Sequence, residues 1–188
     1  MPFISRGFTL IEIIDTTLEG VCIVVPEVYE DSRGFFMETY NAVEFEKVGL
    51  PTEFLQDNHS RSSRGVLRGL HYQYPDWQGK LVRVLDGEIF DVAVDIRASS
   101  ETYGQWFGTT LSSTNRHQLY IPPGFAHGFC VTSDTVDVAY KCTVVYQPRQ
   151  DKCILWNDPD LDIRWPIDDP IVSEKDAKGS AFEALEVL

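Results

Sequence analysis

The sequence predicts a mostly-β protein, a sandwich or barrel with a few short helices. Turn signals recur along the 188 residues, at Ser32-Arg33-Gly34, Asp86-Gly87, Pro122-Pro123-Gly124 and Gln147-Pro148. Between them lie runs rich in β-branched and aromatic residues. Helix-period patterns are scarce, with no repeat, long linker or low-complexity tract. The composition, 43% hydrophobic and 24% charged, is that of one globular domain spanning residues 1–188.

In chain order, the first element is a short helix over residues 41–48. Asn41 and Glu44 have the spacing of a capping box, and Gly49 is the stop. The clearest strand is Ile89 to Ile96. Phe90, Val92, Val94 and Ile96 alternate with Asp91, Ala93 and Asp95, which predicts one apolar and one polar face. Asp86-Gly87 predicts a hairpin joining it to residues 81–85. A second long strand is expected from Val136 to Tyr146, and its even positions, Tyr140 among them, point inward. Ser173 and Asp176 mark a helix start that leads into a helical tail over residues 177–188.

A net charge of −13 argues against nucleic-acid and anionic-membrane partners. A phosphate-bearing ligand would need a local cationic island, for which Arg33, Arg68, Lys80 and Lys175 are available. No apolar run reaches the length of a membrane span, and no signal peptide is read at the start. Cys22, Cys130, Cys142 and Cys153 form no CxxC pair and sit among apolar neighbours. They read as buried free thiols of a cytoplasmic protein.

Two of the four histidines, His71 and His127, lie in apolar settings. Each is either a core histidine satisfied by a carbonyl or a neutral base poised to take a proton, with Arg68 and Lys80 close in sequence to His71. Metal ligation is disfavoured, because the position two beyond His71 is Gln73 and soft ligands are few. Arg68 and His71 are three apart, which strict alternation would place on opposite faces. Gly69 between them predicts a bulge that re-aims one of the two. Tyr140 reads as a core phenol or an acid, and Asp176 as a cap residue or a carboxylate partner for a histidine. Residues 56–60 read as a plain loop or as a donor-and-acceptor cluster for a polar ligand.

Taken together these stretches resemble the dTDP-4-dehydrorhamnose 3,5-epimerase family. The resemblance is carried by DSRGFFMETY from Asp31, Gln56 to Asn58, GVLRGLHYQ from Gly65, QGKLVRV from Gln78, DVAVDIR from Asp91, IPPGFAHGF from Ile121, YKCT from Tyr140, WNDP from Trp156, and SEKD from Ser173. It runs from about Gly20 to Asp176, so a short N-terminal extension, about residues 1–8, is left over. The resemblance implies a cupin-like jelly roll, usually a homodimer, that works without metal or other cofactor on a dTDP-linked 4-keto-6-deoxy sugar. It further implies His71 as base paired with Asp176, Tyr140 as opposite-face acid, and Lys80 with Arg68 steadying the sugar oxygen. Arg33, Glu38, Gln56, Asp57, Asn58, His127, Asp151 and Lys175 match substrate-binding positions, some of which reach the ligand across the dimer interface. Asp151 stands where the family often has a longer glutamate. The competing readings are an epimerase acting at C3 only or C5 only, a non-catalytic sugar-nucleotide binder, and a metal-dependent cupin.

Overall fold

The computed structural model describes residues 10–185; the N-terminal extension expected over residues 1–8 lies outside the described residues. The strands are β1 (Ile11–Asp15), β2 (Cys22–Pro26), β3 (Val28–Asp31), β4 (Gly34–Met37), β5 (Gln56–Ser63), β6 (Leu67–Gln73), β7 (Lys80–Asp86), β8 (Glu88–Asp95), β9 (Trp106–Ser112), β10 (Gln118–Ile121), β11 (Phe125–Val131), β12 (Thr135–Cys142) and β13 (Asp151–Cys153). They form a six-stranded sheet ordered β1-β2-β10-β7-β12-β5, a five-stranded sheet ordered β13-β6-β11-β8-β9, and a separate hairpin, β3-β4. Every strand pairing is antiparallel. The predicted mostly-β jelly roll is therefore observed.

The two sheets face each other across one core. Val82, Val84, Leu119, Val136 and Val138 from the first sheet pack with Ile89, Ala93, Leu111, Phe125 and Phe129 from the second. Each fully buried aliphatic side chain here contributes roughly 1.5–3 kcal/mol of apolar burial. A second cluster lies on the outer side of the five-stranded sheet, where Leu70, Val92 and Val94 are covered by Ile154, Leu161, Trp165 and Phe182 of the C-terminal segment. A third covers the outer side of the six-stranded sheet, where Phe45 packs with Val24, Leu81 and Tyr120.

Phe45 belongs to α1 (Ala42–Lys47), the helix expected over residues 41–48. Asn41 caps it, its Oδ1 accepting the N–H groups of Val43 and Glu44 at 3.0 and 3.4 Å. Glu44 does not reach back to close the box. Its carboxylate instead takes the N–H of Leu10 and the ammonium of Lys47, at 3.2 and 2.6 Å. At the other end, Ser173 Oγ accepts the N–H of Asp176 at 3.1 Å. Among the described residues only single 3-10 turns follow, Asp176–Lys178 and Phe182–Ala184, in place of a longer helix; residues 186–188 of the expected tail lie outside the described residues.

Two expectations, the hairpin at Gly87 and the strand reaching Tyr146, are corrected, and the reading of β8 is extended. Residues 81–85 and β8 do not form a hairpin: β7 pairs with β10 and β12, whereas β8 pairs with β9 and β11. The chain passes from one sheet to the other at Gly87, which has a φ of +82° and would place a Cβ 2.2 Å from the carbonyl oxygen of Thr135. The polar face of β8 is not solvated. Asp91 and Asp95 are fully buried, because both faces of this strand are covered. Asp95 is satisfied by Arg97, Ser100 and Thr102. The strand expected to reach Tyr146 ends at Cys142, where Thr143 N–H turns to the carbonyl of Gly79 at 3.0 Å.

Candidate active site

His71 is aimed by an irregularity in β6. Along β11, His127 pairs with His71 and Phe129 with Arg68, so three steps of β6 oppose two of β11. That is the bulge expected at Gly69. Gly69 has a φ of +133°, and a Cβ on it would meet Gly128 Cα at 2.5 Å, so only glycine fits this close crossing. The slip releases Arg68 from strict alternation. Its Nε donates to Ser62 Oγ at 3.1 Å, and its charge acts on the Tyr140 phenol.

One ring nitrogen of His71 is held from behind. Nε2 lies 2.6 Å from Oδ1 of Asp176, a residue 105 positions away in sequence and only 4% exposed in its side chain. Burial alone would raise the Asp176 carboxyl, but the hydrogen bond and charge of His71, with the N–H of Gly69 and the side chain of Ser173, hold it below the usual range. An ionised carboxylate only accepts, so Nε2 carries the proton. In the neutral imidazole the other nitrogen, Nδ1, then keeps a lone pair. Ser173 Oγ also accepts the backbone N–H of residue 176, so the cap and the His71 contact use different atoms of Asp176.

His71 opens onto a cavity of about 310 Å³ between the two sheets, and Tyr140 lines it from the opposite one. Burial pushes the Tyr140 phenol above its ordinary value, with Arg68 pulling partly back, so it stands protonated at neutral pH. Lys80 lines the same cavity and is 7% exposed. Burial lowers its ammonium, while Cys142, Asp151 and Asp91 offset part of that effect. No carboxylate stands within ion-pair distance of Lys80 among the described residues. Gln56 and Asn58 enter from β5, and Asp151 and Lys175 form an ion pair at the rim, with Tyr146 donating to Asp151 at 2.8 Å.

These features together define a jelly-roll cavity with a carboxylate-held imidazole, a facing phenol and a buried cation. Residues 15–184 match the family model described as dTDP-4-dehydrorhamnose 3,5-epimerase. The chain belongs to that family. It is 57% identical to the dTDP-4-dehydrorhamnose 3,5-epimerase of Methanothermobacter thermautotrophicus over 166 residues, 87% of this chain and 90% of that one. The enzyme of the same name from Pseudomonas aeruginosa is 56% identical over 167 residues, 88% of this chain and 92% of that one. Among solved structures, the dTDP-6-deoxy-D-glucose-3,5-epimerase of Legionella pneumophila Philadelphia 1, in complex with dTDP-4-keto-L-rhamnose, superposes with a TM-score of 0.91 at 49% identity. That match covers 94% of this chain and 95% of the other.

Not every expected site residue of this epimerase-family chain meets at the cavity. Asp57 alternates with Gln56 and Asn58, so it faces the other side of β5. There it pairs with Lys141 at 2.9 Å beside a second cavity of about 290 Å³, which Asn58 and Tyr140 also line. Arg33 stands at the tip of the β3-β4 hairpin, 88% exposed and paired with Asp31. Glu38 accepts from Asn41 Nδ2 at 2.9 Å at the start of α1. His127 stands next to His71 across the ladder, but it is buried and donates from Nε2 to Asp91 at 2.9 Å. The segment over residues 56–60, read as a loop or polar cluster, is strand β5. Tyr146, Gln73 and Gln78 line the cavity and were missed. The sequence pattern places Tyr146 only as an inward strand residue, and the Tyr146 to Asp151 spacing across the Gln147-Pro148 turn is the available signal.

Cys22, Cys130 and Cys142 are buried free thiols as expected, whereas Cys153 is half-buried. Among the described residues, Cys153, His71 and Asp176 form a group of side chains whose donor atoms stand close enough together to hold a metal ion.

Proposed function

We propose that this isomerase inverts C3 and C5 of dTDP-4-dehydro-6-deoxy-D-glucose to give dTDP-4-dehydro-L-rhamnose, for dTDP-L-rhamnose biosynthesis. Both carbons flank the C4 ketone, so both carry weakly acidic protons. His71 Nδ1 takes the proton, and the C–H electron pair moves onto the C4 oxygen as an enolate. Lys80 and Arg68 steady that oxygen. Tyr140 returns a proton to the opposite face, and the tyrosinate and imidazolium are then reset by solvent. No redox cofactor or metal is required by these steps.

The supporting observation is that His71 and Tyr140 come from facing sheets onto one cavity. Packed sheets stand about 10 Å apart, which leaves room for a sugar ring between base and acid. In this reading Lys175, with Gln56, Asn58 and Asp151, engages the nucleotide end, and a phosphate takes over the ammonium that Asp151 now holds. His127 braces the wall behind the base. Arg33, Glu38 and Asp57 serve through a homodimer, in which the exposed β3-β4 hairpin reaches a second copy. The protein works in the cytoplasm, and no described helix is long and apolar enough to cross a membrane.

The test is proton NMR of the enzyme with its 4-keto substrate in deuterated water. Deuterium is expected at both C3 and C5. Label at one carbon alone would establish the C3-only or C5-only reading, and label at neither would leave a non-catalytic binder.

A further inference from the structure

Cys153 has no part in the proton transfers above, yet it stands directly opposite His71 in the β13-β6 ladder. Directly opposed residues project from the same face of a sheet. Cys153 Sγ lies 3.8 Å from Asp176 Oδ1, which lies 2.6 Å from His71 Nε2. All three donor atoms fall within 4.8 Å of one another. Imidazole nitrogen, sulfur and carboxylate oxygen are the donors zinc takes at roughly 2.0–2.3 Å, which sets tetrahedral neighbours about 3.5 Å apart. The sulfur–oxygen pair is already near that spacing. The nitrogen–oxygen pair opens when a metal replaces the proton they share.

The thiol is a poor nucleophile as it stands, because burial, then the charge of Asp176, push it up to about 12. A bound dication reverses that cost by displacing the thiol proton outright.

We propose that Cys153, His71 and Asp176 form an inhibitory site for soft divalent cations, zinc foremost, that switches the epimerase off. Binding releases one proton, that of Cys153, to solvent, and water completes the coordination. With the metal on Nε2, the one remaining proton of the imidazole sits on Nδ1, so the nitrogen left to the cavity has no lone pair to offer a substrate. Magnesium, which demands oxygen ligands, does not bind here. The inhibitory consequence rests on the reading of His71 as base; the metal site itself does not.

The experiment titrates the full chain with cobalt(II), a coloured probe for zinc sites, and follows the thiolate-to-cobalt charge-transfer absorption in the wild type, Cys153→Ser and Cys153→Ala. In parallel, zinc and magnesium are added to the deuterium-exchange assay. The expected result is a saturable band in the wild type at one equivalent that is absent from both variants. Zinc, and not magnesium, stops exchange in the wild type. Both variants keep basal turnover, and their half-inhibiting zinc concentration rises by at least the roughly tenfold that even an outer-shell partner contributes. Absence of the band in the wild type, or equal zinc sensitivity in the variants, would overturn the site and leave the base assignment untouched. A band with undiminished turnover would overturn the switch and count against His71 as the base.

Discussion

Replacing Asp176 by Asn separates a catalytic carboxylate from a mere helix cap. The side chain is isosteric, and the cap is retained, since Ser173 Oγ binds the backbone N–H of residue 176. What changes is the partner of His71. A hydrogen bond to a charged group is worth about 1.5–3 kcal/mol, which alone is roughly a ten- to hundredfold loss of turnover. The structure adds a second effect. The N–H of Gly69 points at Oδ2 of Asp176 from 3.4 Å, so the single carbonyl oxygen of Asn settles there. Its NH₂ then occupies the Oδ1 position, 2.6 Å from Nε2 of His71, where only an acceptor nitrogen is tolerated. The imidazole must shift its proton to Nδ1, and a wrong tautomer in a dyad of this kind costs up to about 10⁴-fold. A fall in kcat of about 10²- to 10⁴-fold is therefore expected, with stability lowered by about 1 kcal/mol. Steady-state turnover and thermal unfolding of the same preparation provide the assay. A kcat within about threefold of wild type, together with a large drop in Tm, would refute the dyad and leave only a structural role.

Replacing Lys80 by Met removes the cation expected to hold the enolate, and kcat should fall about 10²- to 10³-fold. The same pair of proteins tests its burial. Because burial lowers the Lys80 pKa in the fold, the unfolded chain binds more protons between that lowered value and 10.5. Wild-type stability should thus rise relative to Lys80→Met as pH climbs through this window, measured by denaturant unfolding, and a parallel pH dependence would contradict it. Asp95 shifts in the same direction for a different reason: burial works against its carboxylate, but Arg97, Ser100 and Thr102 bring it down to about 2. Its contribution, roughly 2 kcal/mol, is present above about pH 4 and lost as pH falls toward 2, so Asp95→Asn should flatten the acid limb of the stability curve. Gly69→Ala should cost more than about 2 kcal/mol and abolish turnover, since the new Cβ would meet Gly128 Cα at 2.5 Å; a stable, active variant would show that the crossing can relax.

Local patterns were the ones readable in the chain. The cap at Asn41, the inward parity of Tyr140 and the irregularity at Gly69 depend on a few neighbouring residues, and all three are observed. Sheet membership was not readable. The alternation in β8 correctly divided its residues into two sets, but it did not show that the acidic set is also buried, since that depends on the facing sheet and on partners such as His127. A hairpin and a crossover between sheets use the same Asp-Gly signal, which is why residues 81–85 were assigned the wrong partner. Asp57 was grouped with Gln56 and Asn58 by the resemblance, although a one-residue step on a strand reverses the face. The place of Cys153 next to His71 follows from a pairing across more than eighty residues, which no local pattern encodes.

The opposed placement of His71 and Tyr140 is tested most directly by Tyr140→Phe in deuterated water, with exchange at C3 and C5 and formation of the inverted sugar followed in one NMR time course. His71 remains able to take and return a proton on its own face, so label should continue to enter while inversion falls by two orders of magnitude or about that. If exchange and inversion decline together, or inversion proceeds at the wild-type rate, base and acid do not act from opposite walls of this cavity.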